Sequence, residues 1–245
     1  MEMMVLFYLL LFLVAFLYSS VGHGGASGYL ALMALFSFTP DVMKPTALLL
    51  NLFVAGTAFI QFYRGKHFIW KIFLPLALAS VPMAFLGGMI TIDASIYKKI
   101  LGCLLLIPIA RFIFFKNIPV DNLKEPGIGL SAVIGVVIGF LSGLIGIGGG
   151  IILSPVILLL KWTNQKQTAA ISALFIFVNS LSGLGGQLTR GIQFSTDMIA
   201  YVAIAFTGGL LGSYFGSLRF RQDLLKYILA AVLLLASVKL LFTKA

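Results

Sequence analysis

Gly139-Phe140-Leu141-Ser142-Gly143-Leu144-Ile145-Gly146-Ile147-Gly148-Gly149-Gly150-Ile151-Ile152-Leu153-Ser154-Pro155 is the stretch that decides how this chain is organised. It is an apolar run interrupted by glycines, and a looser copy stands 124 residues earlier: Phe16-Leu17, then Gly22-His23-Gly24-Gly25. Two more matches follow in the same order. Gln61-x-x-Arg64-Gly65 aligns with Gln187-x-x-Arg190-Gly191, and Phe68 with Phe194, at an offset of 126; Lys98, Ile100 and Leu101 align with Lys226, Ile228 and Leu229 at an offset of 128. The glutamine–arginine–glycine match weighs most, because polar residues are scarce in this chain. The sequence therefore reads as a duplication, residues 1–116 and 128–245, joined by a polar linker at 117–127 that holds Asp121, Lys124, Glu125 and two prolines.

Of the 245 residues, 60% are hydrophobic and 10% charged. Soluble domains are about 45–50% apolar and roughly 25% charged. A soluble fold of this size has nowhere to bury so much apolar surface, so lipid must be the solvent for much of it. Apolar runs fall at 3–20, 26–38, 45–62, 70–90, 96–115, 128–146, 150–160, 168–187, 196–217 and 223–242. Most approach the ~20 residues of a spanning helix. The runs 26–38 and 150–160 are too short to cross alone, and each directly follows a glycine cluster. The expected fold is an all-α polytopic membrane protein of two homologous halves, four to five segments each, with broken or short helices at the glycine-rich loops. Ten crossings make the halves inverted repeats; re-entrant short runs would make them parallel.

The net charge of +10 does not point to nucleic acid. Its sources, such as Arg64/Lys66/Lys71, Lys98/Lys99 and Arg219/Arg221/Lys226, are short clusters between apolar runs, not a phosphate-tracking groove. Counting ten crossings puts eleven basic residues on one side and six on the other. The richer side is then cytoplasmic, and both termini lie outside a cell (inner or plasma) membrane. Residues 3–18 imitate a signal peptide, but Glu2 replaces the basic n-region, so the expectation is an uncleaved first segment. The single cysteine, Cys103, reads as a small buried hydrophobe.

Neither glycine cluster is a P-loop or a dinucleotide fingerprint. Each offers a break in a membrane helix, where the restarting helix exposes free N–H groups and its positive dipole end to an anion. Paired broken helices are a pointer to a transporter's site. The substrate-binding candidates are Gly22, His23, Gly24, Gly25 and Ser27 at the first break, and Gly146, Gly148, Gly149 and Gly150 at the second. To these are added the polar residues inside the runs: Thr46, Asn51 and Gln61 in one half, and Ser172, Asn179 and Gln187 in the other. Neutral donors can hold an oxyanion without the desolvation cost of a charge. Arg64 and Arg190 are repeat-related cations that either anchor at headgroups or attract substrate. All seven acidic residues, Glu2, Asp41, Asp93, Asp121, Glu125, Asp197 and Asp223, fall in loops or at segment ends. A cation substrate is thereby disfavoured. No nucleophile–base pair or metal cluster has credible spacing, so no enzyme, metal or cofactor is expected.

The second cluster, Gly139 to Pro155, resembles the repeat signature of the TauE/SafE family, also called the sulfite exporter or toluene-sulfonate uptake permease family, and Val21 to Gly28 is a looser copy. The resemblance implies a permease for sulfite, sulfonates or related organosulfur and carboxylate anions. It carries binding roles onto Gly22, Gly24, Gly25, Gly146, Gly148, Gly149 and Gly150. The expected partners are a small anion and the lipid bilayer, with H+ or Na+ as coupling ions that His23 and backbone carbonyls would serve. The other readings are an anion channel and a non-transporting membrane subunit.

Overall fold

The computed structural model describes residues 2–20, 25–114, 123–192, 194–216 and 222–242. Among them are ten α-helices and no strand: α1 Glu2–Ser20, α2 Ala26–Leu35, α3 Pro40–Arg64, α4 Trp70–Met89, α5 Ala94–Phe114, α6 Ile128–Ile145, α7 Gly150–Leu159, α8 Gln165–Leu188, α9 Thr196–Gly216 and α10 Gln222–Phe242. Over the described residues, α1, α3, α4, α6 and α8 are long and apolar enough to cross a membrane. The ten apolar runs correspond one to one with the ten helices. The largest shift is at α3, which starts at Pro40, a proline at a first-turn position, and keeps Pro45 inside. Proline is tolerated early in a helix because its missing N–H has no partner there anyway. Asn164 and Gln167 cap α8 reciprocally, which starts it ahead of its apolar stretch.

The short helices α2 and α7 have the same construction. Their N-caps, Gly25 and Gly149, are left-handed at φ 72° and 78°, conformations that cost an L side chain strain. Both end in the same three hydrogen bonds. Phe36, Ser37 and Phe38 donate to Leu32, Ala34 and Met33, as Leu160, Lys161 and Trp162 donate to Val156, Leu158 and Ile157. Ser37 and Lys161 then take positive φ, 62° and 57°. Helix contacts carry the same relation: exchange each of the first five helices with the one five places on, and the contact map is preserved. Thus α4–α6 maps to α1–α9, α4–α8 to α3–α9, and α2–α10 to α5–α7, while α3–α8 and α5–α10 map onto themselves.

Helix directions follow from who touches whom. A Cβ on Gly183 would touch Leu48, Asn51 bonds Ser180, and a Cβ on Gly56 would touch Phe177, so α3 and α8 run antiparallel. Tyr18 bonds Ser27 and Phe7 packs on Phe36, so α1 and α2 form a hairpin. Lys124 N–H bonds the Lys161 carbonyl, bringing the approach to α6 beside the turn after α7. At ten residues each, α2 and α7 are about 15 Å long, half the ~30 Å hydrocarbon core. Each hairpin returns to the face it came from, so the loops group as in the ten-segment reading, with Gly25 and the Gly146–Gly149 stretch buried inside the bundle.

Much of the outer surface is apolar: Leu78, Ile128, Ile199 and Phe242 are each more than 70% exposed, as befits contact with lipid. Two aromatic clusters mark opposite ends of α3. Phe7, Phe36, Phe38 and Tyr201 pack near its start, and Phe59, Tyr63, Phe68, Trp70 and Phe73 near its end, a pattern typical of membrane interfaces. Inside, glycines let helices touch backbone to backbone. A Cβ at Gly135, Gly139 or Gly143 of α6 would run into the Leu76, Ser80 or Ala84 carbonyl of α4, and one at Gly208 or Gly212 of α9 into Phe12 or Phe16 of α1. The linker is tied to α4 by Lys71–Glu125 at 2.8 Å, and Lys71 holds the Glu125 carboxyl below its usual pKa by hydrogen bond and charge.

Candidate functional site

The two short helices point their N-termini into the bundle. Neither Gly25 nor Gly149 has a side chain to cap with, so the first N–H groups of α2 and α7 gain no bond from their N-cap residues. Between them is a cavity of about 10 Å³ lined by Tyr18, Gly25, Ala26, Ser27, Ile147, Ile151 and Ile176. That is room for about one water and too little for an oxyanion. The second break is unwound over Gly146–Gly149, where Gly146, Gly148 and Gly149 all have positive φ. It lies along α3: a Cβ on Gly146 would meet the Lys44 backbone at 3.1 Å, and one on Gly148 would meet Asn51 Nδ2 at 2.7 Å and Ser180 Oγ at 3.1 Å.

Asn51, Asn179, Ser180 and Gln187 are almost wholly buried where α3 meets α8. Asn51 Nδ2 donates to Ser180 Oγ at 3.2 Å, while Asn51 Oδ1 has no partner. Ser180 can donate or accept, so the Asn51 amide can turn over, take the Ser180 proton on Oδ1 and offer Nδ2 to an anion. Asn179 Nδ2 bonds the Phe175 carbonyl, leaving its Oδ1 unpaired; Gln187 Nε2 and the hydroxyls of Tyr29 and Ser142 are also buried without partners. Such orphans cost about 1–3 kcal/mol each, and structures retain them where a ligand or water completes the set.

A family model described as "Sulfite exporter TauE/SafE" matches residues 7–240. The chain belongs to the TauE/SafE family. It is 35% identical over 235 residues to "Probable membrane transporter protein y4hK" of Sinorhizobium fredii, covering 94% of this chain and 95% of that one. It is 33% identical over 208 residues to "Probable membrane transporter protein MJ0441" of Methanocaldococcus jannaschii, covering 79% and 75%. No solved structure matches. This TauE/SafE chain is thus a multi-pass membrane protein of a transporter family, not of an enzyme class.

The TauE/SafE structure gathers some of the expected residues and separates others. Gly25, Ser27, Gly146, Gly148, Gly149, Gly150 and Asn51 stand at the convergence of the breaks. Ser27 is bonded to Tyr18 at 2.7 Å. Ser172 pairs with Ser154 at 2.8 Å, and Ser154 also bonds the Gly150 carbonyl, pinning the start of α7 to α8. Thr46 is turned back onto Val42 of its own helix. Gln187 is buried, whereas its repeat mate Gln61 is exposed. Arg64 and Arg190 are exposed at the C-terminal ends of antiparallel helices, hence at opposite ends of the bundle; Arg190 bonds the Ile90 carbonyl at 3.3 Å. Gly22, His23 and Gly24 lie outside the described residues.

Lys44 was missed by the sequence reading. The apolar run 45–62 begins at Pro45, which leaves this lysine in a loop; α3 in fact begins at Pro40 and carries it inside, 6% exposed. A lysine within five residues of a run's start, beyond a helix-compatible proline, was the available signal.

Proposed function

We propose that this protein is a secondary carrier of small oxyanions, sulfite, sulfonates or related organosulfur and carboxylate anions, working by alternating access about the two broken helices. One observation carries the reading: two uncapped helix N-termini and an under-bonded Asn51–Ser180 pair converge in the interior of a transporter-family bundle. Backbone N–H groups and neutral amides suit an anion. The cavity there is closed down to about 10 Å³, so in this reading the two breaks must part to admit an oxyanion.

Residues 1–116 and 128–245 act in this reading as inverted repeats joined by the linker 117–127. The antiparallel crossing of repeat-related α3 and α8 supports it. Rocking one repeat against the other would then expose the site to each face in turn. The eleven-to-six basic tally puts the Arg64 end in the cytoplasm and both termini outside. Arg64 and Arg190 attract or anchor at the two mouths, and His23 or the loop carbonyls serve a coupling proton or sodium ion.

The test is a thermal-shift screen of the purified protein over sulfite, thiosulfate, sulfonates and small carboxylates, followed by proteoliposome flux of the best ligand with and without a pH gradient. A carrier gives stabilisation and saturable flux. Flux that rises linearly with substrate indicates a channel, and no anion response at all sinks the anion reading.

A further inference from the structure

The meeting face of α3 and α8 carries a second polar station, and we infer that it is an anion subsite in which Lys44 supplies the counter-charge and Gln187 a second donor. This deepens the proposed function and rests on it. Lys44 is 6% exposed and Gln187 is 2% exposed. Among the described residues no carboxylate pairs with Lys44, and no hydrogen bond holds its Nζ; the charges within electrostatic reach are Arg190 and Asp41. Gln187 Nε2 is a buried donor without a partner.

The register of the helices puts the two at one level. Lys44, Leu48 and Asn51 lie at i, i+4 and i+7 of α3, and Gln187, Gly183 and Ser180 face them in reverse order on α8, as the Leu48–Gly183 and Asn51–Ser180 contacts fix. The station is therefore about 10 Å along the bundle from Asn51. The unwound Gly146–Gly149 backbone runs from one to the other, Gly146 against Lys44 and Gly148 against Asn51.

Among the described residues Lys44 Nζ has no hydrogen-bond partner and, unlike Gln187 Nε2, is not fully enclosed, so the stem is buried while the head keeps access for an anion. What the fold supplies is partial: Nζ lies 4.9 Å from the centroid of the Tyr97 ring, and Tyr97 OH donates to the Ile145 carbonyl at 3.0 Å, at the edge of the break. The lysine is thus held beside the unwound Gly146–Gly149 backbone with no described carboxylate in contact, and an arriving oxyanion supplies that partner. Arg190, exposed at the same end, draws anions toward it. The opposite end of the α3–α8 face differs. At the offset of 126 the mate of Lys44 is Ala170 and the mate of Gln187 is Gln61. Among the described residues of this path the cation stands at one end, so the two access states would hold the anion unequally.

The experiment is thermal shift on the full-length purified protein with sulfite, methanesulfonate and acetate, using uncharged methanesulfonamide as the shape control. Lys44→Met should melt no lower than the unaltered protein without ligand, since it removes an unpaired charge. It should need about tenfold or more anion for half-maximal stabilisation, the equivalent of one charge-assisted hydrogen bond. Lys44→Arg should keep most of the response, Gln187→Leu should weaken it, and methanesulfonamide should act alike on all variants. An unchanged anion midpoint in Lys44→Met overturns the subsite alone. So does equal loss of ligand-free stability in Lys44→Met and Lys44→Arg, which would make Lys44 a packing element. If the unaltered protein responds to no anion, the carrier reading falls and this subsite with it.

Discussion

At Gly148 a side chain meets two obstacles. The backbone stands at φ 70°, and the added Cβ would press on Asn51 Nδ2 and Ile176. The strain is of order 1–3 kcal/mol, small beside the consequence that the Asn51–Ser180 pair is pushed from the break. Gly148→Val and Gly149→Val are expected to insert and to remain helical by circular dichroism while losing transport. Normal flux in either would remove the break from the site. Asn51→Leu separates affinity from stability. Replacing an under-bonded polar group by an apolar one of similar size is close to neutral for folding. The variant should melt within a few degrees of the unaltered protein and lose about tenfold in anion affinity, the worth of one strong hydrogen bond; equal affinity would show that Asn51 only bridges helices.

Helices here depend on what their ends and faces lack. The α4–α6 and α1–α9 pairs touch through backbone because glycine removes the side chain between them. Gly143→Leu should therefore wedge α6 from α4 and cost about 3 kcal/mol or more by overpacking, read as a large fall in melting temperature. Gly191→Ala, at positive φ but with nothing within 4 Å, should lower it far less. The short helix α2 has its carbonyl end closed by Lys239, whose Nζ donates to the Leu35 carbonyl at 2.7 Å and Ser37 Oγ at 3.0 Å. Lys239→Met should loosen α2 by about 1 kcal/mol, the worth of a cation at a helix C-terminus. Faster amide exchange confined to Ala26–Leu35 would show it; unchanged exchange there would mean that packing alone holds α2.

For the whole molecule, the proposed opposite direction of the repeats has a simple consequence. Arg64 and Arg190 end equivalent helices, yet stand at opposite ends of the bundle. In a Cys103→Ser background, Lys66→Cys and Gly191→Cys should react with an impermeant maleimide from opposite sides of the membrane, with Lys66→Cys protected in intact cells. Labelling of both from one side would end the inverted-repeat reading. Cys103, expected from its apolar run to be buried, is instead exposed on the outer face of α5, so its replacement should leave the interior undisturbed.

Sequence alone determined that the chain lives in lipid, that it has ten apolar segments and that its breaks fall in the glycine clusters 22–28 and 143–150. Composition, apolar run length and glycine placement are local properties, and each acts within a few residues of where it is written. Recurrence at offsets near 126 likewise needed only the sequence. Partners across the fold were not legible. Nothing local tells that Thr46 turns back on its own helix while Asn51, five residues on, faces Ser180 of another, because that depends on how α3 is rotated against α8. Gln61 and Gln187 are equivalent in sequence and opposite in burial for the same reason. Lys44 is the sharpest instance. As a letter beside a proline it looks like a loop charge, and only the packing of α3 against Tyr97 and the unwound Gly146–Gly149 backbone buries its stem beside the break.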